Sequence, residues 1–229
     1  MEYPHNRPYT ADDLVRIITL LRDPVNGCPW DKVQTHTSIR MNFLEEAYEA
    51  VDALDLDDPV LMCEELGDVL MQVAFHTCME QETGRFTWEQ VCDGVCQKLI
   101  ERHPNIFGTQ PGYEGITDWD ALKNKEKGRR TLADDLESVP RAMPALMRAA
   151  KLQKRAVRHG AALQGADAAA LADAAENLQT AQPASAQAEQ AVGELLFAAA
   201  NLARQAGVDP EQALQKANEA FCTAAGPGA

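Results

Sequence analysis

Acidic side chains recur in two stretches of the sequence at spacings that place them on common helix faces. Glu46 and Glu49 are three residues apart, and Glu65 and Asp68 repeat that spacing further along the chain. Side chains three or four residues apart are neighbours on a helix, and like charges so placed oppose helix formation by about 0.2–0.5 kcal/mol per pair. A cation bound between the carboxylates would offset this repulsion. The two pairs are therefore candidates either for a metal site or for a solvated acidic face.

The segment around the second pair favours the metal site. Most positions from 60 to 75 are apolar, whereas Glu64, Glu65, Asp68 and Gln72 share a sector about 100° wide on a helix. We therefore expect this helix to be buried on most of its circumference, with its acidic stripe facing other protein or a cleft. Buried carboxylates need cations. Oxygen ligands without cysteine or clustered histidine favour Mg²⁺, with Mn²⁺ as a substitute.

Two other kinds of metal site fit these residues less well. A di-iron carboxylate centre needs a Glu-x-x-His sequence on each of two helices, and neither acidic stretch contains one. The six cysteines include no Cys-x-x-Cys pair, so a zinc site is not expected. His76, one helical turn beyond Gln72, is expected to form hydrogen bonds rather than to bind a metal.

The elements that position these residues are predicted to be helices, which makes the fold class all-α. Thr10 is expected to cap a first helix that ends at Asp23-Pro24, and Thr87 with Gln90 forms a capping box for a fourth. Aromatic residues make up 6% of the chain and alternating β-type runs are rare, which disfavours a β-sandwich or barrel. The other helices are predicted at 37–54, 60–82, 119–127, 141–158, 167–181, 187–206 and 210–224.

Charge and hydropathy exclude several classes of function. The chain has 35 Asp and Glu against 21 Lys and Arg, a formal net charge of −14, which argues against nucleic-acid binding. No window has the run of about 18 apolar residues that a membrane helix requires. The polar first residues lack the apolar core of a signal peptide. We therefore expect a cytoplasmic protein without membrane contact.

Three motifs, in order along the chain, resemble those of one enzyme family. Glu45-Glu46-x-x-Glu49 followed by Glu65-x-x-Asp68 resembles the EExxE…ExxD signature of the all-α nucleoside triphosphate pyrophosphohydrolases. The stretch Gly27-Cys28-Pro29-Trp30-Asp31 and the later Arg102-His103-Pro104-x-x-Phe107-Gly108 are similar to the MazG branch of that superfamily. The similarity extends from about residue 20 to residue 108. A dUTPase-like or phosphoribosyl-ATP-specific relative would share the acidic pattern but not the Gly-Cys-Pro-Trp-Asp stretch.

The resemblance implies a reaction and a set of roles. The expected reaction is hydrolysis of an NTP or dNTP to the monophosphate and pyrophosphate, with a metal-activated water as the nucleophile. Lys98 and Arg102 correspond to a pair that binds the triphosphate, and the family suggests a homodimer. The tryptophans Trp30 and Trp119 are candidates for stacking on a base, because every base has a π-face. The acidic residues divide into the Mg²⁺ ligands Glu46, Glu49, Glu65 and Asp68, and Glu45, which is placed to orient the attacking water.

The second half of the sequence can be laid over the first as an internal duplication. The overlay puts Ala175, Glu176 and Gln179 at the places of Glu45, Glu46 and Glu49, and Gln190, Ala191 and Glu194 at those of Glu64, Glu65 and Asp68. Ala220 and Ala224 take the places of Lys98 and Arg102. We therefore predict two duplicated four-helix units completed by pairing or dimerisation. Residues 1–130 form the catalytic unit, and residues 131–229 form a degenerate unit with a structural role. The alternative function is a nucleotide-sensing or partner-binding module with little turnover.

Overall fold

The described part of the chain is helical, as the sequence predicts. A computed structural model describes residues 3–5, 7–104, 106–108, 122, 126–128 and 130–226, and these residues form no β-strand. The chain divides into two compact units, Met1–Ile116 and Thr117–Ala229. None of the described helices combines the length and the apolar character needed to span a bilayer.

The first unit is organised around one long helical hairpin. Its helices are α1 (Ala11–Leu21), α2 (His36–Leu56), α3 (Pro59–Glu82) and α4 (Trp88–Arg102), and a 3₁₀ turn (Asp31–Val33) precedes α2. Helix α2 packs along α3, while α1 and α4 each pack against α3.

Side-chain caps explain where these helices begin. The Thr10 hydroxyl accepts a hydrogen bond from the Asp13 amide, and the Asp13 carboxylate accepts one from the Thr10 backbone N–H. Thr87 and Gln90 form the same reciprocal arrangement at the start of α4. Each such cap satisfies backbone N–H groups that the first helical turn leaves free. Both predicted caps are therefore confirmed.

The core of the first unit lies on the C-terminal half of α3. Ile18, Ile39 and Trp88 come from the other helices and pack with Phe75 and Met79 of α3. The N-terminal half of α3 is covered less in this chain: Val60 is 76% exposed and Leu66 is 53% exposed. The expectation that α3 is buried on most of its circumference is therefore wrong for the single chain. Periodicity identifies the apolar positions of a helix, but it does not say which of them another element covers.

The second unit has a hairpin of its own. Its helices are α5 (Leu132–Glu137), α6 (Ala145–Arg158), α7 (Ala168–Thr180), α8 (Ala186–Gln205) and α9 (Pro210–Ala225). Helices α7 and α8 pack along each other, α6 packs on α8, and α9 contacts both α6 and α8. The helix predicted at 141–158 begins four residues late, because Pro144 disfavours a helical backbone at the residue before it. A short helix α5 was not predicted, and the helix predicted at 119–127 lies outside the described residues apart from a few positions.

Polar residues contribute much of the buried interior of the second unit. Asp135 is 0% exposed, and its carboxylate contacts Arg155 at 3.0 Å and His159 at 3.2 Å. Gln153, 1% exposed, donates a 2.7 Å hydrogen bond to the backbone carbonyl of Phe197. Most of the buried apolar residues of this unit are alanines. Buried polar groups must be paired to be tolerated, so these contacts hold α5, α6 and α8 in one arrangement.

Candidate metal centre

Three carboxylates converge where α2 and α3 lie side by side. One side-chain oxygen from each of Glu46, Glu49 and Glu65 lies within 4.8 Å of the others. Ala50 and Ala53 are buried one turn beyond Glu46 and Glu49, which shows that these glutamates lie on the face of α2 that turns towards α3. Within the described ranges, no other group of acidic, histidine or cysteine side chains comes together in this way.

The cluster is electrostatically unfavourable as it stands. Partial burial raises the pKa of Glu46, and the neighbouring charges of Asp68 and Glu49 raise it further. The pKa of Glu65 is raised first by desolvation and then by the charges of Glu49 and Asp68. Both shifts mean that the site disfavours its own ionised form. A bound cation would reverse that preference.

The structure identifies Gln72 as a polar neighbour of the carboxylate cluster. Its Nε2 donates a 3.3 Å hydrogen bond to Glu46 Oε1. The side chain is buried, and its Oε1 has no hydrogen-bond partner among the residues described. Nor does any described Lys or Arg form an ion pair with Glu46, Glu49 or Glu65. An uncompensated set of oxygen donors beside an orphaned buried oxygen fits a hard divalent cation such as Mg²⁺ or Mn²⁺.

The other predicted acidic residues lie beside this group of three. Asp68 is half-buried on α3, one turn beyond Glu65, and its charge acts on both Glu46 and Glu65. Glu45 is exposed on α2, and its charge acts on Glu46. The structure therefore brings the predicted acidic residues into one neighbourhood, with Glu46, Glu49 and Glu65 at its centre.

The predicted substrate-binding residues lie on other elements. Lys98 is exposed and Arg102 half-buried in the last two turns of α4, the helix that packs against α3. Trp30 is 58% exposed at the start of the 3₁₀ turn. Trp119 lies outside the described residues.

Arg22 anchors the loop that carries Trp30, and sequence reasoning missed it. The guanidinium makes a two-pronged contact with the Glu82 carboxylate at 2.5 and 2.8 Å. It also donates to the backbone carbonyls of Asp31 and Gln34. Arg22 caps the C-terminal end of α1, four residues after the buried Ile18. A charged residue that continues the buried face of a helix was the signal in the sequence. Arg22 thus ties the 26–36 loop to the end of α3.

Gly27 allows the same loop to turn tightly. A Cβ atom at this position would lie 2.4 Å from the carbonyl oxygens of Leu21 and Asp23. The Gly27 amide donates to the Asp23 carbonyl at 2.9 Å. Only a residue without a side chain permits this close approach.

Two histidines join the start of α2 to α3. His36 Nδ1 lies 2.7 Å from His76 Nδ1 with the rings stacked, and His36 Nε2 contacts Glu80 at 2.6 Å. Arg85 pairs with the same buried Glu80 carboxylate. Burial, together with the charge of His36, lowers the pKa of His76. The expected hydrogen-bonding role of His76 is confirmed.

This geometry defines an all-α protein in which a helical hairpin brings three carboxylates together without a cationic partner among the described residues. The family profile described as the MazG nucleotide pyrophosphohydrolase domain matches residues 34–107, the segment that contains the cluster. The chain is 41% identical over 219 residues to the nucleoside triphosphate pyrophosphohydrolase of Escherichia coli strain K12, covering 92% of this chain and 83% of the relative.

Similarity of this kind extends to other bacteria. The chain is 39% identical to the nucleoside triphosphate pyrophosphohydrolase/pyrophosphatase MazG of Thermotoga maritima, covering 92% of this chain and 82% of the relative. It is 34% identical to a nucleoside triphosphate pyrophosphohydrolase of Mycobacterium tuberculosis over 66% of this chain and 46% of that protein. The chain therefore belongs to the MazG nucleotide pyrophosphohydrolase family of enzymes.

Proposed function

We propose that this chain hydrolyses nucleoside triphosphates, ribo or deoxy, to the nucleoside monophosphate and pyrophosphate in a Mg²⁺-dependent reaction, with Mn²⁺ as a substitute. The observation that carries the proposal is the convergence of Glu46, Glu49 and Glu65 without a cationic partner among the described residues. Family membership supports the substrate class, because relatives similar over most of their length are named nucleoside triphosphate pyrophosphohydrolases.

In this proposal Glu46, Glu49, Glu65 and Asp68 hold the cation. When bound, Mg²⁺ supplies neutralisation of phosphate charge and a lower pKa for a bound water. Gln72 orients the Glu46 carboxylate through its hydrogen bond. Glu45, exposed beside Glu46, is placed to accept a hydrogen bond from the attacking water and so to orient it.

Residues outside the cluster bind the rest of the substrate. Lys98 and Arg102 are one turn apart on α4 and offer positive charge for the phosphates that the cation does not neutralise. Trp30 offers an exposed indole for stacking on the base, and Trp119 is proposed for the same role. Arg22 and Gly27 act indirectly, because they hold the loop that carries Trp30.

We also propose that the functional unit is a homodimer. The exposed apolar side chains include Val51 and Leu54 of α2 with Val60, Leu66 and Leu70 of α3, on the same hairpin that carries the cluster. Burial of these side chains against a second copy of the chain would remove apolar surface from water, which favours association. Size-exclusion chromatography with light scattering is expected to give a dimer, and a strict monomer would contradict this part of the proposal.

Glu49→Gln tests the metal site. Glu49 is exposed, so the isosteric change preserves the fold while it removes one charged ligand. We expect Mg²⁺-dependent release of pyrophosphate to fall by about 100-fold. The matched control is Glu194→Gln in the second unit, which is exposed on α8 and should leave the rate unchanged. Full activity in Glu49→Gln would disprove the assignment.

A second measurement separates an enzyme from the alternative sensing module. A non-hydrolysable triphosphate is titrated into the wild-type chain with Mg²⁺ present, and turnover of the matching natural triphosphate is measured in parallel. The enzyme is expected both to bind and to turn over. Binding without turnover would favour the sensing module.

A further inference from the structure

The second unit contains a pocket whose charge is opposite to that of the chain as a whole. The cavity, of about 380 Å³, is formed by α6, by the end of α8 and by the turn that leads into α9. Lys151, Lys154 and Arg204 line it, and Asp209 is the acidic side chain of the lining. Three positive charges against one negative charge make the lining basic in a chain of net charge −14.

Arg204 is held in place by a neutral partner. Its Nε and Nη2 donate to Asn201 Oδ1 at 3.0 and 2.8 Å. Asn201 is itself buried and donates a 2.6 Å hydrogen bond to the Ala166 carbonyl. An amide oxygen orients a guanidinium without cancelling its charge. Arg204 is therefore fixed in position, and its positive charge is available to a ligand.

The two lysines add charge that the described protein does not neutralise. Lys151, half-buried, and Lys154, exposed, lie three residues apart on α6. Neither forms an ion pair or hydrogen bond with any residue in the described part of the chain. Like charges one turn apart repel each other, so an anion bound between them relieves a cost that the free protein carries.

The acidic groups nearby are engaged with the backbone. Asp209 caps α9, and its Oδ1 accepts a 3.0 Å hydrogen bond from the Gln212 amide. Glu211 accepts a 3.3 Å hydrogen bond from the Met147 amide at the start of α6. These two contacts fix the turn against α6 and so shape the pocket.

We propose that this pocket binds a small anion that carries two or more phosphate groups, as inorganic pyrophosphate or as part of a nucleotide. Lysine and arginine are the side chains that bind phosphate in proteins, and the volume lies within the range of about 300–1,000 Å³ found for small-ligand sites. Met147, Val208 and Pro210 provide an apolar wall on which a base can lie. A nucleic acid is a poorer occupant, because it is held by an extended basic surface rather than by a local pocket in an acidic protein.

Met147 provides a local reporter for the test. The full chain is labelled with ¹³C-methyl methionine, and the Met147 signal, one of seven, is assigned with Met147→Leu. Inorganic pyrophosphate is titrated in the presence of EDTA, so that the carboxylate cluster has no divalent cation through which to bind phosphate. We expect a saturable shift of the Met147 methyl signal. No saturable shift would overturn the proposal.

Variants then assign the shift to the pocket. Lys151→Ala and, separately, Lys154→Ala are expected to raise the Kd for pyrophosphate roughly tenfold. The matched control, Lys216→Ala, removes one positive charge from an exposed position on α9 and should change the Kd by less than about twofold. Equal weakening by the pocket variants and the control would show a general charge effect and overturn the proposal.

Further titrations show whether the phosphate groups belong to a nucleotide or to a free oligophosphate. They also separate binding in this pocket from binding at the carboxylate cluster. ADP binding more tightly than pyrophosphate identifies a nucleotide as the occupant, and equal affinities identify the oligophosphate group alone; either result supports the pocket. A single-stranded oligonucleotide that shifts Met147 at lower concentration than pyrophosphate would overturn it. Glu49→Gln should bind pyrophosphate here as the wild type does, so loss of the proposed hydrolysis and loss of this pocket are separate results.

Discussion

The two units both contain a packed helical hairpin, but a carboxylate cluster in the first and a buried carboxylate in the second are balanced in different ways. In the first unit, Glu46, Glu49 and Glu65 face one another across α2 and α3 without a cation from the described protein. In the second, the buried Asp135 is paired with Arg155 and His159. A charge cluster that the protein leaves unbalanced is available to a ligand, whereas removing one partner from a buried pair that the protein balances internally is costly.

The described part of the second unit lacks a comparable carboxylate cluster at the positions that the sequence overlay matches to Glu46 and Asp68. Glu176 and Glu194 are both exposed, and Glu194 accepts a 2.8 Å hydrogen bond from Gln190 on its own helix. The described residues of the second unit contain no group of three potential metal ligands. The structural role of this unit and the duplication itself both stay predictions.

We expect the largest loss of stability from a substitution that removes the carboxylate of the buried Asp135–Arg155 pair in the second unit. Asp135→Ala leaves Arg155 buried without its carboxylate partner, and removal of one partner of a buried ion pair costs about 3–5 kcal/mol. Unfolding by urea, followed by circular dichroism, measures the change. The comparison variant is Glu82→Gln in the first unit, where the carboxylate facing Arg22 is 45% exposed and its loss should cost less. Equal losses in the two variants would contradict the contrast between the units.

The next effect concerns metal affinity in the unbalanced cluster. Glu65→Gln removes one charge from the group of three, and we expect the affinity for Mn²⁺ to fall by about 100-fold. Electron paramagnetic resonance of free Mn²⁺ measures the affinity without any nucleotide. Because the mutual repulsion decreases, the same variant should unfold at a slightly higher temperature without metal. An unchanged Mn²⁺ affinity would contradict the view that the unbalanced carboxylates of the first unit bind a metal ion.

A pair of glycines compares the two units at the level of the backbone. Gly27→Ala places a Cβ atom 2.4 Å from two carbonyl oxygens, and we expect a loss of about 1–3 kcal/mol because the loop must shift. Gly193→Ala on α8 meets nothing within 4 Å and should stabilise the chain by up to about 1 kcal/mol, since alanine favours the helix. Denaturation midpoints of the two variants should therefore move in opposite directions.

The smallest expected effect is the acid response of the first unit. The pKa of His76 is lower in the folded chain than its ordinary value, so the unfolded chain binds the proton more readily. Stability should therefore fall as the pH drops through the ordinary histidine range, from about pH 7.5 to 5.5. His76→Gln should reduce the slope of the unfolding midpoint against pH in that range. A slope identical to that of the wild type would show that this histidine pair does not contribute to it.

The helices and their caps were largely predictable from local sequence. Thr10 and Thr87 carry capping patterns within four residues, and Pro59 begins α3 where a proline is tolerated. Except at Pro144, the predicted ends of the long helices agree with the structure to about two residues. The spacing of Glu46 with Glu49, and of Glu65 with Asp68, predicted that each pair shares a helix face, because both members lie within one helical turn. The structure adds that the turn at 57–58 folds one helix back along the other, which brings the two pairs together.

Contacts between distant segments were not predictable in this way. Arg22 meets Glu82, and Gln72 turns its amide towards Glu46, although nothing in the neighbouring residues specifies either partner. The basic pocket depends on how closely α6 approaches the end of α8. The sequence by itself determined the helices, their caps and the type of chemistry, since period and capping act over a few residues. Tertiary structure alone decided which apolar faces are covered and which charges find partners, because those outcomes depend on the packing of segments far apart in the chain.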